Sequence, residues 1–390
     1  MKTSVVLLGA SGSIGSQTLD VLRQYRDRFE LAAFSVGRRT ETIDSVIAEF
    51  HPGFLTVKEE EEAESFRRKY PEIRVYSGDE GLLELISQSG ADMVINALTG
   101  YIGLKPTVCA LECGKMLALA NKESLVMGGK IVTDLAKKKG ILIRPIDSEH
   151  SAIFQALQGN KKEQVEKLII TASGGSFRNR TRKELENVTV SEALAHPNWS
   201  MGKKITIDSA TMMNKGFEVI EAHWLFDMDY DRIETVLHPE SIVHSLVEYK
   251  DGAMIAELGT ADMRVPIQYA LLYPERMPNT TKKLHLPDIG SLTFREMSFE
   301  RYPLLKLAYD AGRQGGNLGA ALNGANEAAV KLFLEEKISF LDIERYVEET
   351  LEVFRKTGMY RKDADLENIL ESDHWAYRYV KEKVKCLCRH

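Results

Sequence analysis

The sequence predicts an α/β fold, with a Rossmann-like doubly wound N-terminal domain, an α+β central catalytic domain and a C-terminal helical bundle. Short apolar runs alternate with helical patterns over residues 1–147, and a glycine-rich turn separates the first run from the first helical pattern. From residue 299 to the end the pattern is helical. Alternating strands and helices are typical of a parallel sheet with right-handed crossovers. A chain of 390 residues is also longer than one core usually serves.

The strands predicted within residues 1–147 are short and apolar, as buried parallel strands are. They cover residues 5–8, 31–36, 54–57, 93–98, 116–120 and 141–146. Between the first two, residues 14–25 predict a helix with Ile14, Val21 and Leu22 on one side. The acidic residues 59–62 begin a later helix, where their charge suits the helix dipole.

The remaining chain predicts three further segments. Residues 148–272 form a catalytic, metal- and substrate-binding domain with a flap, and they include strands at 167–171 and 253–258. Residues 273–298 contain three prolines and little periodicity, which indicates a linker. Residues 299–390 form the helical domain, with apolar spacing at 304–308, 321–334 and 341–354.

Composition excludes several classes of protein. The net charge is −6, so the chain has no excess of Lys and Arg to neutralise the phosphates of a nucleic acid. Four cysteines are too few for a disulfide scaffold, and neither Cys109 with Cys113 nor Cys386 with Cys388 has a second ligand pair at zinc spacing. The first apolar stretch is too short to span a membrane and runs into a glycine-rich turn. We therefore expect a cytoplasmic protein with no membrane partner.

A glycine-rich turn follows the first strand, where dinucleotides bind to folds of this class. Glycines at positions 9, 12 and 15 permit close approach of the backbone to a pyrophosphate, and the next helix offers amide donors. A structural turn is the alternative, since the spacing is not that of the usual fingerprint. The predicted cofactor contacts in this turn are Ala10, Ser11, Gly12, Ser13 and Ile14.

The end of the second strand favours NADPH over NADH. NADH sites usually place a carboxylate there, whereas this chain has Gly37, Arg38 and Arg39. Two guanidinium groups suit a 2′-phosphate, although two surface arginines at a helix start are the alternative. Asn121 and Glu123 follow the fifth predicted strand at the same sheet edge, which favours a role in binding the cofactor or the substrate, with surface decoration as the alternative. We assign both to the cofactor.

Two acidic pairs predict a metal site. Asp147 and Glu149 follow the sixth predicted strand, and their carboxylates are oxygen ligands that Mg²⁺ and Mn²⁺ favour. A helix-capping aspartate is the alternative. Glu218 and Glu221 share a helix face among apolar neighbours, so each needs a partner, either the same metal or a salt bridge.

A phosphate site and a flap are predicted in the central domain. Ser173 precedes two glycines and offers a hydroxyl beside close-approaching amides, and Ser209, Asn214 and Lys215 supply further donors. A loop with a large apolar anchor lies between them and predicts a lid over the substrate, with a surface plug as the alternative. The residues of this flap are His196, Pro197, Asn198, Trp199, Ser200, Met201 and Gly202.

These motifs together resemble the 1-deoxy-D-xylulose 5-phosphate reductoisomerase family. The resemblance is carried by residues 10–15, 119–124, 147–150, 171–175, 196–202 and 208–216. The motifs stand in the family's order from residue 3 to about residue 330, at full family length. Two departures are Ser176, where the family commonly has proline, and Ala10-Ser11 in place of the more usual Ser-Thr.

The resemblance implies an activity, cofactors and an assembly. The activity is NADPH-dependent rearrangement and reduction of 1-deoxy-D-xylulose 5-phosphate to 2-C-methyl-D-erythritol 4-phosphate, in the methylerythritol phosphate pathway of isoprenoid biosynthesis. The favoured course is a retro-aldol and aldol sequence followed by hydride transfer. The cofactors are NADPH and Mg²⁺, Mn²⁺ or Co²⁺, and the assembly is a V-shaped homodimer.

The resemblance also assigns residues. The metal ligands would be Asp147, Glu149 and Glu218, which with Lys122 make the catalytic set, while Glu221 would orient its neighbours. The substrate contacts would be Lys122, Ser148, Glu149, Ser173, His196, Trp199, Ser209, Asn214, Lys215 and Glu218. Two alternatives stay open: another NADPH oxidoreductase, of the semialdehyde or homoserine dehydrogenase type, and a non-catalytic NADPH-sensing module. Neither explains the acidic and phosphate motifs.

Overall fold

A computed structural model describes residues 2–199 and 201–387, so Ser200 of the predicted flap and Cys388 lie outside the described residues. The strands, β1 to β12, are Thr3–Leu8, Phe29–Ser35, Phe54–Val57, Arg74–Ser77, Met93–Asn96, Met116–Leu119, Ile143–Pro145, Val165–Ala172, Ile233–Leu237, Val243–Tyr249, Met254–Leu258 and Arg295–Glu296. The helices, α1 to α16, are Ser13–Gln24, Ile43–Phe50, Glu60–Lys69, Gly78–Gln88, Leu104–Glu112, Glu123–Lys139, Ser148–Ala156, Val190–Leu194, Lys203–Thr211, Met213–Phe226, Arg264–Leu272, Leu286–Ile289, Pro303–Gln314, Leu318–Leu334, Phe340–Lys356 and Leu366–Leu387.

The chain divides into two compact units. The first comprises Met1–Ser124, Lys130–Ser151 and Asp262–Thr281, and the second comprises Leu125–Gly129, Ala152–Ala261 and Lys282–His390. The prediction of domains at 1–147, 148–272 and 299–390 with a linker between stays a prediction, and the structure differs from it in two places described below. Among the described residues, no helix is both long and apolar enough to cross a bilayer.

The first unit is built on a parallel sheet of seven strands in the order β4-β3-β2-β1-β5-β6-β7. Residues 5–8 of β1 are completely buried, because the central strand is covered on both faces. The prediction of a doubly wound sheet is confirmed, and the predicted strand at 54–57 coincides with β3. Strand β4 was not predicted, because it is an edge strand with only Val75 buried and therefore lacks an apolar run.

A returning segment completes the first unit. Helix α11 packs against α1, and Ile267 and Leu271 belong to the same apolar core as β1. The guanidinium of Arg144, on β7, donates to the carbonyl oxygen of Ala270 at 3.0 Å. Residues 262–272 were expected in the central domain and residues 273–281 in the linker. Both stretches belong to the first unit instead, the former through apolar side chains such as Ile267 and the latter through the ion pair of Glu275 with Arg28.

The second unit combines a five-stranded sheet with the C-terminal helices. The sheet order is β11-β10-β8-β9-β12, in which β8 and β9 are parallel and the other pairs are antiparallel. Helix α13 packs on α10, and a Cβ on Gly216 would lie 2.5 Å from the Cβ of Ala308, so glycine permits the approach. The helices after residue 299 therefore share one core with α10 and β8. The predicted linker also contributes β12, which pairs with β9.

The sheet edges differ in character. Strand β7 ends the first sheet after three residues, the last of which is Pro145, and β4 at the opposite edge has four. In the second sheet β12 is a two-residue edge, whereas β11 is longer and exposes Met254, Ile255 and Leu258. An edge with exposed apolar side chains is a natural place for another chain to pair.

Candidate functional site

The turn between β1 and α1 is tight enough to require glycine. Gly9 has φ +85°, and a Cβ on it would lie 2.7 Å from the carbonyl oxygen of Ala97. A Cβ on Gly15 would lie 2.2 Å from the oxygen of Gly9, and the amide of Gly12 donates to that oxygen at 3.0 Å. The N-terminus of α1 therefore opens at the carboxyl edge of the sheet, where its amides suit a pyrophosphate. Of the predicted contacts here, Ala10 is buried and residues 11–14 are partly or fully exposed.

The two arginines after β2 are exposed, as is Gly37 before them. Arg38 and Arg39 precede α2, which begins only at Ile43. They lie outside the first turn of that helix, so the alternative, two surface arginines at a helix start, does not describe them. Their position at the end of the strand next to β1 remains the one where this fold places groups that bind the adenosine ribose.

A compact charged cluster lies at the ends of β6 and β7. The ammonium Nζ of Lys122 lies 2.5 Å from Oδ2 of Asp147, and both side chains are largely buried. The Nδ1 atom of the fully buried His150 lies 3.7 Å from the same oxygen. The hydroxyl of Ser148 donates to Oε2 of Glu149 at 2.5 Å. Four of the predicted catalytic and substrate residues are thus neighbours within the first unit.

The cluster favours a charged Asp147. Burial acts to raise the pKa of this carboxyl, but the opposing charge of Lys122 and the ring of His150 outweigh it and hold the pKa below its usual range. One ligand oxygen each from Asp147 and Glu149 lie within 4.8 Å of one another. Two hard oxygen donors at this separation fit a divalent cation such as Mg²⁺.

In the second unit, the turn after β8 is shaped for close backbone approach. Gly174 has φ +87° and Gly175 has φ +68°, and a Cβ on Gly175 would lie 2.6 Å from the carbonyl oxygen of Ser209. The hydroxyl of Ser173 accepts from the amide of Gly175 at 3.2 Å. The departure at Ser176 has a structural use, since its hydroxyl donates to the carbonyl oxygen of Ala193 at 2.7 Å. The turn that follows Ser173 thus packs closely against the backbone of Ser209 in α9.

The start of α10 carries the other predicted anion donors. Met212 has φ +63° and separates α9 from α10, so Asn214 and Lys215 stand in the first turn of a new helix. The side chain of Asn214 donates to Oε1 of Glu218, and Lys215 pairs with Oε2. Lys215 and Glu218 are buried, as is Glu221 one turn later. Of the alternatives that the sequence left for Glu218, the salt bridge is present.

Hydrogen bonds from Asn198, in the middle of the predicted flap, attach the flap to the rest of the second unit. The side-chain amide of Asn198 donates to the carbonyl oxygen of Pro239 at 2.6 Å and to the hydroxyl of Ser241 at 3.0 Å. The ring of Trp199 lies 6.1 Å from the ring of His244. Met201 is partly buried, and Pro197 and Gly202 are exposed.

The hydrogen bonds of His196 define its tautomer. Its Nδ1 accepts from the backbone amides of Asn198 at 3.2 Å and Trp199 at 3.0 Å, so the proton is on Nε2. Nε2 lies 3.0 Å from the hydroxyl of Ser173 and is positioned to donate. Burial, reinforced by the charge of Arg178, lowers the pKa of His196 from 6.5 to about 4. A neutral ring that donates through Nε2 suits an anionic ligand.

Sequence reasoning missed Arg178. Its guanidinium donates to the carbonyl oxygen of Pro239 at 2.9 Å and to Oδ1 of Asn198 at 3.4 Å, so it contacts the flap. A cation a few residues after the Gly174-Gly175 turn was the available signal. The union of Asp147 and Glu149 with Glu218 into one metal site stays a prediction, as do the roles of the other site residues.

Comparison with known proteins gives one family throughout. The profile described as 1-deoxy-D-xylulose 5-phosphate reductoisomerase matches residues 5–129, and that of the C-terminal domain of this enzyme matches residues 143–226. A further profile, described as DXP reductoisomerase C-terminal domain, matches residues 258–379.

Relatives and solved structures agree. The chain is 53% identical over 379 residues to 1-deoxy-D-xylulose 5-phosphate reductoisomerase from Geobacillus sp. (strain WCH70). This alignment covers 97% of this chain and 98% of the relative. The chain is 42% identical to a crystal structure of DOX-P reductoisomerase in complex with NADPH, fosmidomycin and magnesium, with TM-score 0.92 and 99% of each chain covered. It is 36% identical to the Zymomonas mobilis enzyme in complex with NADPH, with TM-score 0.91, covering 98% of this chain and 99% of that one.

The lowered pKa of His196 predicts a pH dependence of stability. The imidazole has its ordinary pKa of 6.5 when unfolded and about 4 when folded, so between these values the unfolded chain binds the additional proton. The free energy of unfolding should therefore fall as the pH is lowered through this window. Chemical denaturation at several pH values should show that the free energy of unfolding falls less for His196→Gln than for the parent chain. The exposed ring of His51 supplies the control variant, His51→Gln. A pKa near 6.5 for His196 in the folded protein, measured by NMR titration, would contradict the prediction.

Proposed function

Because this chain belongs to the 1-deoxy-D-xylulose 5-phosphate reductoisomerase family, we propose how its residues divide the work of that enzyme's reaction. The chain converts 1-deoxy-D-xylulose 5-phosphate to 2-C-methyl-D-erythritol 4-phosphate with NADPH, in the methylerythritol phosphate pathway of isoprenoid biosynthesis. The observation that carries the assignment of roles is the buried cluster of Lys122, Asp147, Ser148 and Glu149 at the sheet edge.

The acidic residues would hold the divalent cation. Asp147 and Glu149 already present oxygens close together, and Asp147 is kept ionised, so the donor set fits Mg²⁺. Glu218 would be the third ligand. When bound, the cation polarises the carbonyl and hydroxyl oxygens of the substrate as a Lewis acid. The ammonium of Lys122 supplies a second positive charge at the same carboxylate and would donate a proton or a hydrogen bond to a substrate oxygen.

The second unit would anchor the substrate phosphate. The turn that follows Ser173 packs against the backbone of Ser209 in α9, and the Nε2–H of neutral His196 points at the hydroxyl of Ser173. Asn214 and Lys215 stand at the N-terminus of α10, where the helix dipole also favours an anion. Binding energy gained at a phosphate remote from the reacting carbons supports their positioning.

The N-terminal turn and the two arginines would hold NADPH. The backbone of residues 10–14 would cradle the pyrophosphate, and Arg38 and Arg39 would pair with the 2′-phosphate. NADPH, when bound, supplies the hydride that reduces the aldehyde of the rearranged substrate. The flap, with Trp199 at its tip, would close over the substrate and exclude water.

The chain would act as a homodimer in the cytoplasm. In the part of the chain that the structure describes, β11 pairs with β10 alone and forms an edge of its sheet. Met254 is 55% and Ile255 is 42% exposed on that strand. Pairing of two copies along β11 would cover these side chains and satisfy the backbone groups of the edge.

Glu149→Gln should abolish most of the turnover. The substitution removes a charged metal ligand. Loss of a residue that only hydrogen-bonds to a metal ligand already lowers activity about 10- to 100-fold, so loss of the ligand itself should lower it at least as much. The measurement is loss of NADPH absorbance with 1-deoxy-D-xylulose 5-phosphate and Mn²⁺, against the same assay in excess EDTA. Glu163→Gln, at an exposed position, is the control. Turnover that persists in EDTA, or in Glu149→Gln, would overturn the metal assignment.

Replacing both arginines should weaken the binding of NADPH more than the binding of NADH. The double variant Arg38→Ser, Arg39→Ser loses two charge-assisted contacts to the 2′-phosphate, so KM for NADPH should rise roughly tenfold while KM for NADH stays the same. Steady-state kinetics with each cofactor measure the difference. Lys58→Ser removes an exposed cation after the neighbouring strand β3 and is the control. Equal changes for both cofactors would contradict the proposed role.

Ile255→Lys should separate the dimer into monomers. A charge on the exposed apolar edge cannot be buried between two copies without a partner. Sedimentation at micromolar concentration should give a dimer for the parent chain and a monomer for the variant. Leu142→Lys changes a residue that is also exposed, at 51%, in the first unit and is the control. A monomeric parent chain would rule out this assembly.

A further inference from the structure

A chain of buried polar side chains fixes the segment that follows β5. Asn96, the last residue of β5, is fully buried, and its Nδ2 donates to the carbonyl oxygen of Gly103 at 2.9 Å and to the hydroxyl of Thr107 at 2.8 Å. Its Oδ1 accepts from the amide of Leu98 at 3.2 Å. One side chain therefore binds both ends of residues 97–103.

The same segment is held from the other side by Asn121. Its Nδ2 donates to the carbonyl oxygens of Leu98 and Gly100, each at 3.0 Å. Its Oδ1 accepts from the amide of Ser124 at 3.0 Å and also from the hydroxyl of Ser124. That hydroxyl lies 3.1 Å from the hydroxyl of Thr107, which closes the connection to Asn96.

This arrangement leaves the Asn121 side chain no capacity for a ligand. Its two amide hydrogens are shared among the oxygens of Leu98, Gly100 and Glu123, its Oδ1 accepts twice, and the residue is fully buried. A Cβ on Gly103 would lie 2.2 Å from Oδ1 of Asn121, so the amide fills the space beneath the segment. The expectation that Asn121 binds the cofactor therefore does not apply to its side chain.

The network matters for ligand binding because residues 97–103 lie beside the predicted cofactor crevice. β5 is the neighbour of β1 on the side away from β2, so the ends of β1 and β5 flank the crevice in which open α/β sheets bind their ligands. The carbonyl oxygen of Ala97 lies against Gly9 of the first turn, where even a Cβ would come within 2.7 Å. At the outer end, Thr99 is exposed and Gly100 has φ +78°. A shift of this segment would alter the crevice directly.

We propose that Asn96, Thr107, Ser124 and Asn121 are positioning residues that hold residues 97–103 as a rigid wall of the nicotinamide cofactor's crevice. The proposal rests on the proposed function of the turn at residues 10–14 as the NADPH site. The hydroxyl of Thr107 is the element that joins the two asparagine amides through Ser124. Its loss leaves each amide with its backbone partners, but it removes one acceptor of the buried Asn96 Nδ2 and breaks the connection between the two amides.

The test compares Thr107→Val, which removes the hydroxyl at nearly constant shape, with Thr107→Ser, which keeps it. For Thr107→Val the dissociation constant of NADPH, measured by fluorescence titration, should rise roughly fivefold. KM for 1-deoxy-D-xylulose 5-phosphate should stay the same, and amide hydrogen exchange at residues 98–103 should quicken. Thr107→Ser should behave like the parent chain. Thr350→Val removes an equally buried hydroxyl that bonds only to its own helix and is the matched control.

The outcomes separate the inference from the function on which it rests. If Thr107→Val binds NADPH like the parent chain, or if its affinities for cofactor and substrate fall together, the positioning role is overturned. If the parent chain itself binds no NADPH, the assigned cofactor site is overturned as well. Ser124→Ala interrupts the connection from the other side and should also weaken NADPH binding, so a Thr107→Val protein that fails to fold still leaves the proposal open to refutation.

Discussion

Burial of the parallel sheet on both faces constrains everything else in the first unit. Strands such as β1 and β5 have no exposed surface along which to place a polar group without a partner. Polar side chains are therefore concentrated where the strands end, with Asn121 after β6 and Asp147 after β7, and the glycine-rich turn follows β1 at the same edge. Because parallel strands end at one edge, the cofactor turn, the network of buried amides and the acidic cluster are all found on the same side of the sheet.

The second unit also brings polar side chains together, but it does so through unusual backbone conformations rather than through the ends of parallel strands. The residues that we propose as anion donors are brought together by backbone conformations with positive φ, at Gly174, Gly175 and Met212. The first two bring the loop after β8 against α9, and the third breaks one helix so that another begins beside it. Met212 has a side chain and bears the strain of a positive φ, which persists only because the surrounding packing determines it.

The sequence predicted the fold class and the neighbourhoods of the site, because these depend on local patterns. Apolar runs at 5–8 and 54–57 identified two strands, and the position of Asp147 and Glu149 after a strand put them at the sheet edge. Strand β4 was not predicted because an edge strand needs no apolar run. The grouping of α11 with the first unit was not predicted either, because no local pattern shows against which part of the chain a helix packs.

Partners distant in sequence were also beyond prediction. The pairing of His196 with Ser173, and the saturation of Asn121 by groups more than twenty residues away, depend on the completed fold. The family resemblance supplied which residues matter but not what each one touches. Asn121 shows the difference, because its place in a motif suggested a contact with the cofactor whereas its surroundings assign it to the protein interior.

The unequal edges of the second sheet bear on how copies of this chain can assemble. Among the described residues, β11 offers a long apolar edge, and β12 at the far side has two residues. A sheet with two open edges can add copies without end and grow into a filament. A sheet with one can be satisfied by a single twofold pairing, after which no edge is left for a third copy. The proposed pairing through β11 would therefore end at two copies, because β12 has only two residues with which a further copy could pair.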